Sequence, residues 1–277
     1  MSIKLIGLDL DGTTLNSQER ITDKTRSILE KTIKSGVNVV FATGRSFDSL
    51  PKDVYNLEGV EYMITSNGAQ VTRMIDKKVI YKNCIKNNDI KKVIDIVTRH
   101  KVHVEAFIDG IAYIDKTEYN DIKANGSTYR SAGYVIRTRK PVDDIIKHMY
   151  SNQDSIENIN LLFEDSEKRR FIRKLLENLE GITLTTSFAN NLEIGGATTS
   201  KADALNYLLR INDLTENELM AFGDNPNDIA MIEFAKIGVA MGNADILVKQ
   251  ASDYITDDNN NHGVANAIEK IILHKNA

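Results

Sequence analysis

Cysteine is almost missing from this chain, and the one present, Cys84, has no partner with which to close an intrachain disulfide. A disulfide framework and a zinc-thiolate cluster are both excluded, and the composition suits a reducing compartment. A basic surplus is missing as well. The formal net charge is -4 and the sequence pI is near 5.8, so the overall charge gives no reason to expect a nucleic-acid partner. No stretch approaches the ~18 consecutive apolar residues of a membrane span. Met1-Ser2-Ile3-Lys4-Leu5 runs straight into an apolar segment, without the charged start, apolar core and cleavage site of a secretory leader. No internal repeat or low-complexity tract breaks the pattern. The expectation is a soluble, cytoplasmic protein with small-molecule partners, no nucleic acid and no membrane; oligomeric state is not legible.

What is present is ordinary globular material in an informative order. At 277 residues the chain exceeds the usual ~100–200 of one domain, and 42% hydrophobic with 27% charged residues suffices for real cores. Short apolar runs at Ile3 to Leu8, Val37 to Ala42 and Tyr62 to Thr65 alternate with helical periodicity, as in Ile21 to Lys34, which stops at Gly36. That alternation predicts a parallel sheet whose strand ends, after Asp9, Thr43 and Ser66, share one edge. Beyond Cys84 the texture changes to an α+β unit. Helices are expected near Asn87 to His100, Val142 to Tyr150 and Lys168 to Leu179, and strands at Val102 to Phe107, Ile111 to Ile114, Ile156 to Phe163 and Ile182 to Ser187. A polar stretch runs through Gly126, and Asp257 to Asn261 reads as a polar turn. From Leu192 to Ile194 the βα alternation is expected to resume, with a helix from Ser200, strands at Leu219 to Phe222 and Ile237 to Ala240, and helices from Pro226 and near Asp245 and Val264. The expected organisation is a core of residues 1–84 and 188–277 interrupted by an inserted domain over 85–187.

Chemistry concentrates at the strand ends. Asp9-Leu10-Asp11-Gly12-Thr13 places two carboxylates two residues apart, on one side of a strand's carboxyl end, where open α/β sheets bind ligands. Such a pair is tolerable if a divalent cation such as Mg²⁺ bridges it, and an Asp-Gly turn beside a capping Asp is the simpler alternative. Gly223-Asp224-Asn225-Pro226-Asn227-Asp228 repeats the arrangement. There Asn225, Pro226 and Asp228 would serve as the cap, first and third residues of a helix, whereas Asp224 precedes the cap and is explained better by a metal. Lys201, beside Ser200 and Asp203, opposes its own helix dipole and calls for an anion such as phosphate, the alternative being a solvated surface lysine. Thr43 before Gly44 is by itself a turn residue. Glu105, Asp109 and Tyr113 read as surface or packing positions.

Taken in order, Asp9-Leu10-Asp11-Gly12-Thr13, Thr43-Gly44-Arg45, Ser66-Asn67-Gly68-Ala69, Lys201 and the Gly223 to Asp228 segment resemble the haloacid dehalogenase superfamily of phosphohydrolases, and within it the Cof-like branch with a type IIB cap. The resemblance implies an α/β fold, a Rossmann-like parallel-sheet core with an inserted α+β cap that selects substrate. It implies a Mg²⁺-dependent phosphatase of small phosphorylated metabolites, sugar phosphates above all. Asp9 would be the nucleophile forming an aspartyl-phosphate and Asp11 the general acid and base, with Thr43 and Lys201 stabilising the phosphoryl oxygens. Mg²⁺ would be held by Asp9, Asp11 through its carbonyl, and Asp224, with Asp228 behind them. Gly12, Gly44, Arg45, Asn67 and Asn227 would lie on the phosphate and substrate side. The chain departs from the usual pattern at Thr14, Ala202 and His262. A phosphotransferase or phosphomutase using the same intermediate, or a non-enzymatic phospho-switch, are the alternatives.

Overall fold

The computed structural model describes residues 3–273 and divides into two compact units. One comprises residues 3–44, Leu50–Tyr81 and 200–273; the other comprises Arg45–Ser49 and Lys82–Thr199. Met1 and Ser2 of the expected run into the first strand, and residues 274–277 of the expected core, lie outside the described residues.

In chain order the first unit opens with β1 (Leu5–Leu8), α1 (Asp23–Lys34), β2 (Asn38–Ala42), a short α2 (Lys52–Tyr55), β3 (Tyr62–Thr65), β4 (Gln70–Arg73) and β5 (Lys78–Lys82). The second unit follows with α3 (Asn87–Arg99), β6 (His103–Ile108), β7 (Ile111–Asp115), α4 (Lys116–Asn125), α5 (Ala132–Thr138), β8 (Lys140–Val142), α6 (Ile145–Ser151), β9 (Ile156–Leu162), α7 (Ser166–Leu176), β10 (Ile182–Thr185) and β11 (Asn191–Gly196). The chain then returns to the first unit through α8 (Lys201–Ile211), β12 (Leu219–Gly223), α9 (Ile229–Phe234), β13 (Ile237–Ala240), α10 (Ile246–Ala251), β14 (Tyr254–Ile255) and α11 (Gly263–Ile268). None of the described helices is long and apolar enough to cross a membrane.

The first unit is built on one sheet in the order β14-β13-β12-β1-β2-β3-β4-β5, parallel from β14 to β3. Its central strand β1 is buried at every residue, as a parallel strand covered on both faces must be, which is why it reads as an unbroken apolar run. On one face α8 packs Ala204, Leu205, Leu208 and Leu209 against Leu5, Val40 and Ala221. α1 starts where Thr22 accepts the Thr25 N–H and ends before Gly36, whose φ of +86° continues no helix. β4 runs antiparallel to β3, and the β4–β5 extension and the two-residue β14 have no counterpart in the sequence reading, being too short or too exposed to carry a period.

The second unit has its own six-stranded sheet, order β10-β11-β9-β6-β7-β8, with α3, α6 and α7 burying one face over Val104, Ala106, Ile108, Ile159 and Leu161. Three readings are corrected here. β11, expected to resume the core, pairs antiparallel with β9 and β10; Leu192 and Ile194 alternating with Asn191 and Glu193 mark a strand, but alternation does not tell one sheet from another. Lys140–Val142, expected partly as helix, is an edge strand whose Pro141 needs no ladder donor, and the helix starts after the Asp144 cap. The polar stretch before Gly126 is the helix α4, which buries only Ile122 and so shows hardly any apolar stripe. Arg45–Ser49 also groups with this unit, anchored by Asp48 N–H on the Gly110 carbonyl at 2.8 Å.

Glu105 is not a surface residue. It is fully buried on β6, accepting from Arg139 Nη2 and Asn160 Nδ2, both at 2.8 Å. Burial works to raise its pKa, but the Arg139 guanidinium outweighs that and holds it below the ordinary value. Asp109 is exposed and paired with Lys82 at 2.6 Å, while Tyr113 packs on the sheet core. Removing one member of a buried pair strands the other, so Arg139→Met is expected to cost about 3–5 kcal/mol of stability. The denaturation midpoint should fall accordingly, and Glu105→Gln in the same chain should restore part of it.

Candidate active site

Four loops leave the carboxyl ends of neighbouring parallel strands: Asp9 to Leu15 after β1, Thr43 and Gly44 after β2, Ser66–Gly68 after β3 and Asp224 to Asp228 after β12. The register keeps them level, with Leu8 opposite Phe41 and Phe222, and Ala42 opposite Ile64. Asp9 N–H donates to the Phe222 carbonyl at 3.1 Å and Thr43 N–H to the Ile64 carbonyl at 2.9 Å, extending the ladders one residue past the strands.

Over these ends stands the first residue of α8. Ser200 caps the helix by accepting the Asp203 N–H, and Lys201 is only 1% exposed. Its ammonium donates to Asp9 Oδ1 and to Asp228 Oδ1, each at 2.6 Å. The anion expected opposite this lysine is thus a pair of carboxylates in the chain itself. Burial acts against the Lys201 charge, but Asp228 and Asp9 more than offset it and keep the ammonium protonated above its ordinary range.

Asp228 works through both oxygens, because its Oδ2 also accepts the backbone N–H groups of Asp224 and Asn225 at 2.9 and 3.1 Å. The expected Asn225 cap, Pro226 and Asp228 arrangement is present as a single 3-10 turn. Asp228 therefore shapes the loop that presents Asp224. Asp224 Oδ1 accepts from the Thr13 hydroxyl and Oδ2 from Asn225 Nδ2, both at 2.8 Å. Burial, reinforced by Asp228, pushes the Asp224 carboxyl up to about 7, against the opposing effects of Thr13 and Lys201. Asp9 is raised too, first by burial and then by Asp228 and Asp224, with Lys201 opposing.

The carboxylate oxygens of Asp9, Asp224 and Asp228 come within 4.8 Å of one another, and all three residues are buried. Ionised together beside one ammonium they leave two net negative charges in a desolvated space. An oxygen-only donor set with that excess fits a hard divalent cation such as Mg²⁺. Asp228 is tied to the Lys201 ammonium and to two backbone N–H groups, whereas Asp224 meets only the neutral Thr13 and Asn225 side chains and Asp9 engages Lys201 through Oδ1, so Asp9 and Asp224 are the side chains that would hold it. Gly12 is shaped to the same end: its φ is +80°, and a Cβ there would collide with the Asp224 carboxylate. Asp11 is exposed and its side chain is outside the cluster, yet its charge is close enough to add to the rise at Asp224.

Thr43 is buried, and its carbonyl accepts the Asn67 N–H at 3.0 Å. Asn67, at φ 57°, accepts from Asn227 Nδ2 at 3.0 Å, so the second, third and fourth loops are joined; Asn227 Oδ1 is buried with no hydrogen-bond partner among the described residues. Gly68, at φ +100°, lies so tight on the Ser200 carbonyl that any Cβ would overlap it, which fixes the height of Lys201. Gly44 is half-buried, where a Cβ would come 3.0 Å from Asn67 Oδ1. Arg45 belongs with the second unit, donating to the Ser49 carbonyl at 3.3 Å and lying 5.1 Å from the centre of the Tyr134 ring.

Sequence reasoning placed Thr13 only as part of a motif, Thr14 only as a departure from the usual pattern and Asn225 only as a cap, without their contacts to the site carboxylates and the Asp9 carbonyl. Thr14, one of the departures from the usual pattern, donates to the Asp9 carbonyl at 2.6 Å, and its hydroxyl secures the turn. Ala202 packs against the core beneath α8, and His262 meets the Thr22 hydroxyl at 2.9 Å. The only available signal for these residues was a hydroxyl or amide beside an acidic motif.

This geometry has relatives. The profile of the haloacid dehalogenase-like hydrolases matches residues 6–268. The 5-amino-6-(5-phospho-D-ribitylamino)uracil phosphatase YcsE of Bacillus subtilis is 28% identical, the match covering 99% of this chain and 97% of that protein. A putative phosphatase of Streptococcus pyogenes is 30% identical over 99% and 100% of the two chains. Among solved structures, a haloacid dehalogenase-like hydrolase from B. subtilis superposes with a TM-score of 0.85 at 25% identity, covering 98% of this chain and 100% of that one. Four loops converging on a buried lysine, matched along nearly the whole chain, place this protein in the haloacid dehalogenase-like hydrolase family, as one of its phosphatases.

Proposed function

We propose that the chain is a Mg²⁺-dependent phosphomonoesterase that hydrolyses sugar or polyol phosphates through an aspartyl-phosphate on Asp9. The observation that carries this reading is the buried Lys201 held between Asp9 and Asp228, with Asp224 alongside. The substrate class rests on the family resemblance and on the relative whose named substrate bears its phosphate on a ribityl chain.

In this reading an Asp9 carboxylate oxygen attacks phosphorus, a P–O bond to Asp9 forms and the P–O bond to the leaving alcohol breaks. Asp11, exposed and on the same loop, gives its proton to the leaving oxygen. It then takes a proton from the water that attacks phosphorus and frees Asp9. Lys201 sets its ammonium against the charge on the phosphoryl oxygens, and the Thr43 hydroxyl and Asn227 amide donate to them. Asp228 keeps Lys201 and the Asp224 loop in place. Asp9, Asp224 and the Asp11 carbonyl would hold Mg²⁺, which would supply the positive charge that lets the carboxylates ionise together and would screen the phosphate from them. The second unit would act as the cap, which admits substrate and excludes water, with Arg45 on its side. The localisation that suits such a metabolite enzyme is the cytoplasm.

Two outcomes test this. Asp9→Asn should lower turnover of p-nitrophenyl phosphate to under about 1% of wild type with the fold retained, a loss of several orders of magnitude being usual for a nucleophile. EDTA should have the same effect reversibly, and added acceptor sugars should not raise the rate, as they would for a phosphotransferase. The second outcome concerns pH. The Asp224 carboxyl is raised from its ordinary 3.8 to about 7 in the metal-free fold. Between those values the folded chain holds a proton that the unfolded chain has lost, so this contribution to stability is full at low pH and declines as pH rises through about 7. Mg²⁺ competes with that proton. Its stabilising shift in the thermal midpoint should therefore be clearly larger at pH 8 than at pH 5.5, and equal shifts would contradict the assignment of Asp224.

A further inference from the structure

The loop carrying Asp11 is restrained on its outer side by amides for which the reaction has no use. On its inner side the restraints belong to the site: Thr14 donates to the Asp9 carbonyl, and Thr13 to Asp224. Between them sits Gly12, at φ +80°. Glycine populates both signs of φ about equally, so the peptide planes beside Asp11 have no intrinsic preference for one orientation. The Thr13 and Leu15 N–H groups donate to the Leu10 carbonyl at 3.3 and 2.9 Å and fold the loop, and the Gly12 carbonyl is held from outside it.

Asn243, in the segment after β13, supplies that contact. Its Nδ2 donates to the Gly12 carbonyl at 2.9 Å, and its Oδ1 accepts the Asn259 N–H at 3.1 Å. Asn259 in turn donates from Nδ2 to the Leu15 carbonyl at 2.8 Å, and Asn260 Oδ1 accepts the Ser17 N–H at 3.0 Å. The polar turn from Asp257 to Asn261 is thus the far support of the Asp11 loop. It is itself rigid, since Asp258 Oδ1 accepts the N–H groups of Asn260 and Asn261, both at 2.9 Å, and Gly242 N–H donates to the Asp257 carbonyl at 3.1 Å. Two residues beyond Asn243, Asp245 N–H donates to the Asp224 carbonyl at 2.9 Å. One short segment therefore holds the Asp11 loop and the Asp224 loop at a common spacing.

Asn243 is exposed, so it fills no core and its amide gains little for folding from these contacts. Its two hydrogen bonds matter for where they point. Resting on the phosphatase reading above, we propose that Asn243 is a positioning residue: by holding the Gly12 carbonyl it aims the Asp11 carboxyl at the leaving oxygen, so that the proton passes as the P–O bond breaks. Asn259 supports it by fixing the Leu15 end of the same loop.

The test uses two aryl esters of nearly the same shape. p-Nitrophenyl phosphate releases a phenolate stable enough to leave without a proton, whereas phenyl phosphate has a far more basic leaving group and depends on the acid. kcat/KM, which reports the steps through formation of the phosphoenzyme, is measured with Mg²⁺ for wild type, Asn243→Ala and Asn243→Asp. Asn243→Ala should lose about tenfold or more on phenyl phosphate and about threefold or less on p-nitrophenyl phosphate. Its thermal midpoint should be unchanged. Asn243→Asp keeps the acceptor for Asn259 but presents a carboxylate to the Gly12 carbonyl, and should lose at least as much on phenyl phosphate. Equal losses on both esters, a lowered midpoint that accounts for the loss, or wild-type rates in either variant would overturn the proposal. Asp9→Asn, run alongside, separates the two readings: residual turnover there sinks the phosphatase mechanism, while an inactive Asp9→Asn with an unaffected Asn243→Ala sinks only the role of Asn243.

Discussion

An ammonium group shut away from water is stable only while anions surround it, and Lys201 meets that condition through Asp9 and Asp228. The three residues come from the loop after β1, from the start of α8 and from the turn after β12, so none has its partner nearby in sequence. The fold cannot place one of them wrongly without leaving a charge buried and unpaired. That makes the cluster a constraint on the whole first unit: the order of β12, β1 and β2, the level of their ends and the height of α8 all have to agree with 2.6 Å contacts at one point.

The same cluster is anionic on balance, and this links folding to chemistry. A set of charges optimised for stability alone would end neutral. Here Asp224 is pushed towards neutral pH and Asp9 is raised as well, so the metal-free site holds carboxylates that burial would rather keep protonated. A desolvated anionic set of this kind suits a cation and, in the function proposed above, the charge that develops on a transferred phosphoryl group. The supports around it are mostly hydrogen bonds from Thr13, Thr14, Asn67 and Asn227, which fix geometry without adding charge.

The parts legible in the sequence were those whose physics is local or periodic. Buried parallel strands such as β1 and β2 read as apolar runs, α1 read from its stripe and its glycine stop, and Asp224 stood out because it precedes a cap it cannot serve. Lys201 stood out by opposing its own helix dipole, although the compensating charge turned out to be Asp9 and Asp228. What escaped was set by distant partners. β11 joined the second sheet through register with β9, which no periodicity records. Glu105 is buried because Arg139 and Asn160 meet it across the fold. Thr13 and Asn243 are ordinary polar residues until the loops they connect are seen together.

The placement of β1 has a consequence for how the protein is made. One neighbour, β2, lies about thirty residues away, but the other, β12, begins at Leu219. During synthesis from the amino terminus the central strand therefore stays open on one edge until more than two hundred residues have emerged, and only then can Asp9 and Asp224 meet. The second unit, contained almost wholly in Lys82–Thr199, has all the strands of its own sheet by that time. A ribosome-bound chain would thus carry a complete second sheet before the acidic cluster of the first unit exists. That cluster would assemble in a single late event, when β12 enters the sheet and α8 brings its lysine over the strand ends.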